Sequence, residues 1–83
     1  MTYELEIRAK AQRDFDVIPP KDAARISKRI ATLTHDLQGD VKRLTQVHPD
    51  YRLRVGDWRV LFEVAGPTVI IHRVLHRREA YRQ

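Results

Sequence analysis

Cysteine is absent from the 83 residues of this chain, which excludes disulfides and thiolate metal sites. Long apolar runs are absent too. No stretch approaches the ~18 residues that a membrane-spanning helix needs, and no succession of charged, apolar and small residues marks a signal peptide. Both absences suit a cytoplasmic protein. Glycine is rare, and each of Gly39, Gly56 and Gly66 sits where a regular element should stop. No repeat, low-complexity tract or second domain interrupts residues 1–83. A chain of this length needs most of its apolar side chains for a single core.

Positive charge is what the chain has in excess, and only in one half. Residues 1–40 hold seven Lys/Arg and seven Asp/Glu, whereas residues 41–83 hold nine against four, which is the whole net charge of +5. Such asymmetry points to a polyanionic partner for the second half, with nucleic acid first. The alternative is a merely solubilising surface, which accounts for one surplus charge more easily than for five.

The apolar pattern supplies the elements. Residues 2–8 alternate, with Tyr3, Leu5 and Ile7 on one side, as a half-buried strand requires. Ala11, Phe15 and Ile18 then follow helical spacing until Pro19-Pro20 ends the run. A second helix runs from about Pro20 to Leu37 with a stripe of Ile26, Ile30, Leu33 and Leu37. Residues 38–50 lack a period and read as a loop. "YRLRV" and "WRVLFEV" flank Gly56-Asp57, a two-residue connection suited to a type II′ hairpin turn, and a further strand runs from Thr68 to about His76. The expected fold is α+β: a strand, a two-helix hairpin and a three-strand antiparallel meander, with the helices on one face of the sheet.

Strand parity sorts the arginines. Trp58, Val60, Phe62 and Val64 form the apolar face of their strand, so Trp58 reads as core and Arg59 as solvent-facing. Arg52 and Arg54 share a face opposite Leu53 and Val55. The sheet face left free by the helices can gather Arg52, Arg54, Arg59, Arg73 and Arg77, and pairing all five would need more carboxylates than the second half supplies. Like charges on adjacent strands cost stability, so the cluster asks for an anion, and phosphate fits the guanidinium fork. Tyr51 can stack on a base or simply cap its strand. His35, His48 and His72 have no spacing that argues for a metal or for catalysis, and no cofactor is expected.

Together, "YRLRVGDWRVLFEV" and the following "RVLHRREAY" resemble the RelE branch of the RelE/ParE toxin superfamily from prokaryotic toxin–antitoxin pairs. Element order, size and basic charge agree over essentially the whole chain, whereas the helical half by itself is generic. The resemblance implies a RelE-like fold and a metal-independent, ribosome-dependent endoribonuclease. Such an enzyme cuts messenger RNA in the A site by attack of the 2′-hydroxyl, leaving a 2′,3′-cyclic phosphate. It also implies a cognate antitoxin, the ribosome and messenger RNA as partners, and no membrane.

Carried over by motif, Arg59 and Arg77 match arginines that hold the scissile phosphate, and Tyr81 matches a tyrosine that stacks on or activates the attacking nucleotide. Arg52 and Arg54 match basic residues beside the site that are commonly lysines, and Arg73 and Arg78 are further candidates for phosphate. Arginine keeps its proton where lysine can lose it. Proton transfer therefore shifts toward His76, a type of side chain that titrates near neutrality, with Tyr81 as its rival. Two other readings stay open: a ParE-like poison of DNA gyrase, and a non-catalytic RNA-binding module. Arg59, Arg77 and Tyr81 occurring together favours the nuclease.

Overall fold

The computed structural model describes residues 2–80. Strand β1 (Glu4–Ile7) leads into helices α1 (Ala9–Val17) and α2 (Pro20–Leu33), followed by strands β2 (Val41–Arg43), β3 (Tyr51–Val55), β4 (Trp58–Ala65) and β5 (Thr68–His76) and a single-turn helix α3 (Arg77–Ala80). One sheet holds all five strands in the order β1-β5-β4-β3-β2. β1 runs parallel to β5, and the other neighbours are antiparallel. No helix among the described residues is long and apolar enough to cross a membrane.

The α+β reading holds, with two additions. β2 is a fifth strand inside the stretch read as loop, where three residues are too few to establish a period. It forms because β3 offers it a free edge, pairing Val41 with Leu53 and Arg43 with Tyr51. α3 adds one helical turn after β5.

The break between α1 and α2 has the expected cause. Ile18 is held extended (φ −82°, ψ 138°), as steric clash with the following proline demands. Pro20 then opens α2, where its missing N–H costs nothing. α2 stops at Leu33, one turn short of the expected Leu37. The Thr34 hydroxyl bonds back to Ala31 O at 2.7 Å, and Tyr3 N–H at the start of the chain donates to Thr34 O at 2.8 Å. Asp36 and Leu37 then take left-handed φ values of 61° and 56°, so Leu37 meets the core from a turn.

Core and parity agree for β3 and β4. Along β5 the register shift opposite Leu61 and Phe62 moves burial from Val69 and Ile71 to Val74 and breaks the simple alternation. Ile26, Ile30 and Leu33 of α2 are buried with Leu53, Val55, Val60, Phe62, Val69, Ile71 and Val74. Trp58 packs on the edge of this cluster and stays partly exposed. β1 departs from its expected half-burial. Leu5 and Ile7 are 44% and 37% exposed, because β1 is the sheet's outer strand while α1 packs over β5 and α2 over β3.

At the hairpin tip, Gly56 has φ +58° and Asp57 is not left-handed, the pattern of a type II′ turn. A Cβ on Gly56 would stand 2.6 Å from Nη2 of Arg25, so α2 reaches over the turn as well.

Candidate functional site

Pairing within the sheet places cations side by side on the face away from the helices. Lys42 lies opposite Arg52, Arg52 opposite Leu61, and Arg54 opposite Arg59. Like charges directly opposite each other repel, and the fold answers differently at each. Arg54 Nε donates to Asp40 Oδ2 at 2.6 Å, and Arg52 Nη1 lies 3.9 Å from Asp40 Oδ1. One carboxylate thus serves two guanidinium groups.

Arg59 corrects an expectation. It belongs to the face away from the helices yet is only 6% exposed, not solvent-facing. Its guanidinium folds back beneath the hairpin tip, where Nη1 donates to Gly56 O at 2.8 Å and Trp58 O at 3.0 Å. Carbonyl dipoles replace part of the lost water, and they hold the group in one orientation.

These four cations line a cleft of about 480 Å³ with Leu61, residues of the 44–50 loop and Ala80. No acidic side chain lines it among the described residues. The loop is closed at its base by Leu44 N–H donating to Asp50 O at 2.7 Å, and it folds over the sheet so that Leu44, Val47 and His48 face the cavity. A pocket with fixed guanidinium groups and an apolar wall can bind a phosphodiester and shield it from water. Lys42 and His48 are cleft residues that sequence reasoning does not assign to a site, His48 being set aside for want of a spacing argument. Lys42 sits in a strand too short to read, and nothing local shows where the loop folds.

The other candidates distribute unevenly. Arg77 begins α3, its N–H donating to Asp57 O at 2.8 Å and its Nε lying 3.9 Å from Asp57 Oδ1. Arg78 is exposed beside it. Neither reaches the lining of the cleft among the described residues, although Ala80 does. Tyr81 follows Ala80 directly and lies outside the described residues.

His76 is drawn away. It pairs opposite Trp58, whose face packs on the helices. Its ring stands edge-on to the indole at 5.5 Å and 86°, and the Arg78 N–H points to its Nδ1 at 3.4 Å. The proton-transfer role read for His76 therefore has no geometry in this cleft.

Arg73 is also withdrawn. β1 pairs with β5 only as far as Ile71, and beyond that point Asp14 of α1 takes over the edge. Its carboxylate accepts from Arg73 Nε and Nη2 at 2.8 and 3.0 Å and from Val74 N–H at 2.9 Å. The hydrogen bond to Asp14 holds the Arg73 guanidinium above its usual range despite the opposing effect of burial. The missing carboxylates thus come from the charge-neutral first half, as Asp14 and Asp40.

A further cluster, invisible in spacing, joins His48, Glu63 and His72 beside the cleft. One ligand atom from each lies within 4.8 Å of the others, and these residue types could hold a metal ion.

Comparison with known proteins gives a consistent result. Residues 5–81 match the family described as the ParE toxin of type II toxin–antitoxin systems. Toxin RelE3 of Methanocaldococcus jannaschii is 47% identical over 47 residues, which span 57% of this chain and 53% of that protein. The match therefore covers about half of that relative's length. RelE1 of the same organism is 33% identical over 99% of this chain and 98% of its own. Among solved structures, the RelB-RelE antitoxin–toxin complex from Methanococcus jannaschii is similar with a TM-score of 0.77 at 31% identity, covering 93% of this chain and 95% of that one. The RelBE2 toxin–antitoxin complex of Mycobacterium tuberculosis has a TM-score of 0.80 at 26% identity, over 93% and 100%.

Proposed function

The chain belongs to the RelE/ParE superfamily of toxins from type II toxin–antitoxin systems, and on that premise we propose that it is an endoribonuclease that cuts messenger RNA in the ribosomal A site. One observation carries the reading: Lys42, Arg52, Arg54 and Arg59 line a single cleft, with Asp40 as the carboxylate shared by two of them. Such a surplus suits the polyanionic backbone of RNA.

In this reading the 2′-hydroxyl attacks the neighbouring phosphorus in line. Negative charge grows on the non-bridging oxygens, and the 5′-oxygen leaves. Arg59 faces that charge with a guanidinium already fixed by two carbonyls. A preorganised cation needs little reorganisation as charge develops, which is the largest lever in reactions of this kind. Arg52 and Arg54 hold the flanking phosphates, and Arg77 and Arg78 approach from α3 once the RNA is seated. With His76 turned to the helices, the proton-transfer roles fall to Tyr81, as activator of the attacking nucleotide, and Lys42, as donor to the leaving oxygen. The chemistry uses no metal.

A cognate antitoxin is the second partner. The solved relatives include toxin–antitoxin complexes, and an antitoxin segment laid over this cleft would cover its charge. One competing reading has its own support. The matching family is described by its ParE toxins, so poisoning of DNA gyrase through protein contacts is the alternative.

The test is to incubate purified protein with programmed ribosomes and map the RNA ends. Cuts in the A site with 2′,3′-cyclic phosphate and 5′-hydroxyl ends support the nuclease. Intact RNA, with gyrase trapped on cleaved DNA in a parallel reaction, would replace that reading with the ParE-like one.

A further inference from the structure

We propose that His48, Glu63 and His72 form a binding site for a divalent transition-metal ion, zinc being the natural candidate, which ties the 44–50 loop to the sheet. The site requires only these three side chains, and so it stands independently of how the cleft is used.

Two ligands are preset by the sheet. Leu61 pairs with Arg73 and Phe62 with Ile71, which leaves His72 as the extra, unpaired residue of a β-bulge. Bulges bend a strand and re-aim side chains, and here the imidazole is turned toward Glu63. His72 Nε2 stands 2.6 Å from Glu63 Oε1, and the two side chains are 22% and 23% exposed. Their position on paired strands keeps both in place.

The third ligand is adjustable. His48 is exposed on the loop, and its ring stands edge-on to that of His72 with centroids 5.4 Å apart. All three ligand atoms lie within 4.8 Å of one another. Zinc ligands bonded at about 2.0–2.2 Å in a tetrahedron are roughly 3.3 Å apart. A small inward movement of His48 therefore closes the set, and an exposed loop tip can make it.

Two imidazoles and one carboxylate suit zinc, copper or nickel rather than magnesium or calcium, which prefer all-oxygen sites. Three protein ligands also leave a fourth position for water. The competing account is plain: Glu63 and His72 are only a hydrogen-bonded pair, and His48 merely touches it.

Calorimetric titration of the untagged protein with zinc chloride separates the two. The expected result is one zinc ion bound per chain. His48→Ala and Glu63→Gln should each weaken binding by more than about tenfold, since even losing a supporting partner of a ligand costs about 10–100-fold. His35→Ala should leave it unchanged. His48 is exposed, so His48→Ala should melt at the wild-type temperature without metal, which keeps the test free of folding defects. Zinc should also slow amide exchange in residues 44–50 of the wild-type protein and not of His48→Ala. Absence of zinc binding, or binding unchanged by both His48→Ala and Glu63→Gln, overturns the proposal.

Discussion

Arg73 and the Arg52–Arg54 pair share one sheet face and one side-chain type, yet the two ends of that face have opposite characters. At the β5 edge, Arg73 meets Asp14 with two hydrogen bonds, and the same carboxylate caps the Val74 amide. Charge there is matched one to one and serves the fold. At the β2–β4 end, Arg52 and Arg54 divide Asp40 between them, and Lys42 and Arg59 line the same cleft. Charge there is in surplus and available to a ligand. A count of arginines does not distinguish the two ends; the count of carboxylates within reach does.

The largest effect that could break this contrast is at Arg59. Arg59→Ala should reduce single-turnover RNA cleavage on saturating ribosomes by about 10²–10³, as removal of one preorganised donor does, while ribosome association falls far less. Because the side chain is buried and bonded to two carbonyls, the same change should lower stability by about 2 kcal/mol in urea unfolding. Wild-type cleavage by the folded variant would remove the cleft from the chemistry.

Asp14 tests the other end. Asp14→Ala strips three donors of their acceptor and should cost about 2–3 kcal/mol of stability, read from denaturant midpoints. Cleavage by the folded fraction should not change. If RNA affinity rises instead, Arg73 is a latent phosphate contact and the two ends are less different than they look.

Salt dependence sharpens the division. Four phosphate contacts to a single strand give a slope of log affinity against log salt of roughly −3, with about 0.7 contributed by each. Arg52→Ala should flatten the slope by one such step, whereas Arg73→Ala should leave it unchanged. The smallest effect is expected at Asp40. Asp40→Asn weakens an exposed pair with Arg54 and a long 3.9 Å contact with the mostly covered Arg52, so stability should shift by about 1 kcal/mol or less. RNA binding should tighten modestly as Arg52 and Arg54 are released, and a weaker complex would show that Asp40 serves mainly to orient them.

Much of the fold was legible because its signals are local. Alternation from Tyr51 to Val64 around Gly56-Asp57 marks a hairpin whichever neighbours it later finds. β2 was not legible, since three residues form a strand only when an edge is offered. The last turn expected of α2 fails because Tyr3 and Thr34 meet across the fold. The site divides in the same manner. Parity grouped Arg52, Arg54 and Arg59 on the correct face, while burial of Arg59, withdrawal of Arg73 and the turn of His76 toward Trp58 depend on contacts that parity does not contain.

Side-chain period along a strand is a backbone property, so the amino-acid order alone determined which arginines share a face and where the hairpin turns. Electrostatic partnership acts through space. Asp40 reaches Arg54 across 14 residues of sequence and Asp14 reaches Arg73 across 59, and only the folded sheet brings those distances to hydrogen-bond length. Tertiary structure therefore decided which guanidinium groups are neutralised in the fold and which are left facing a cleft, because a charge is satisfied by its nearest neighbour in space and not in the chain.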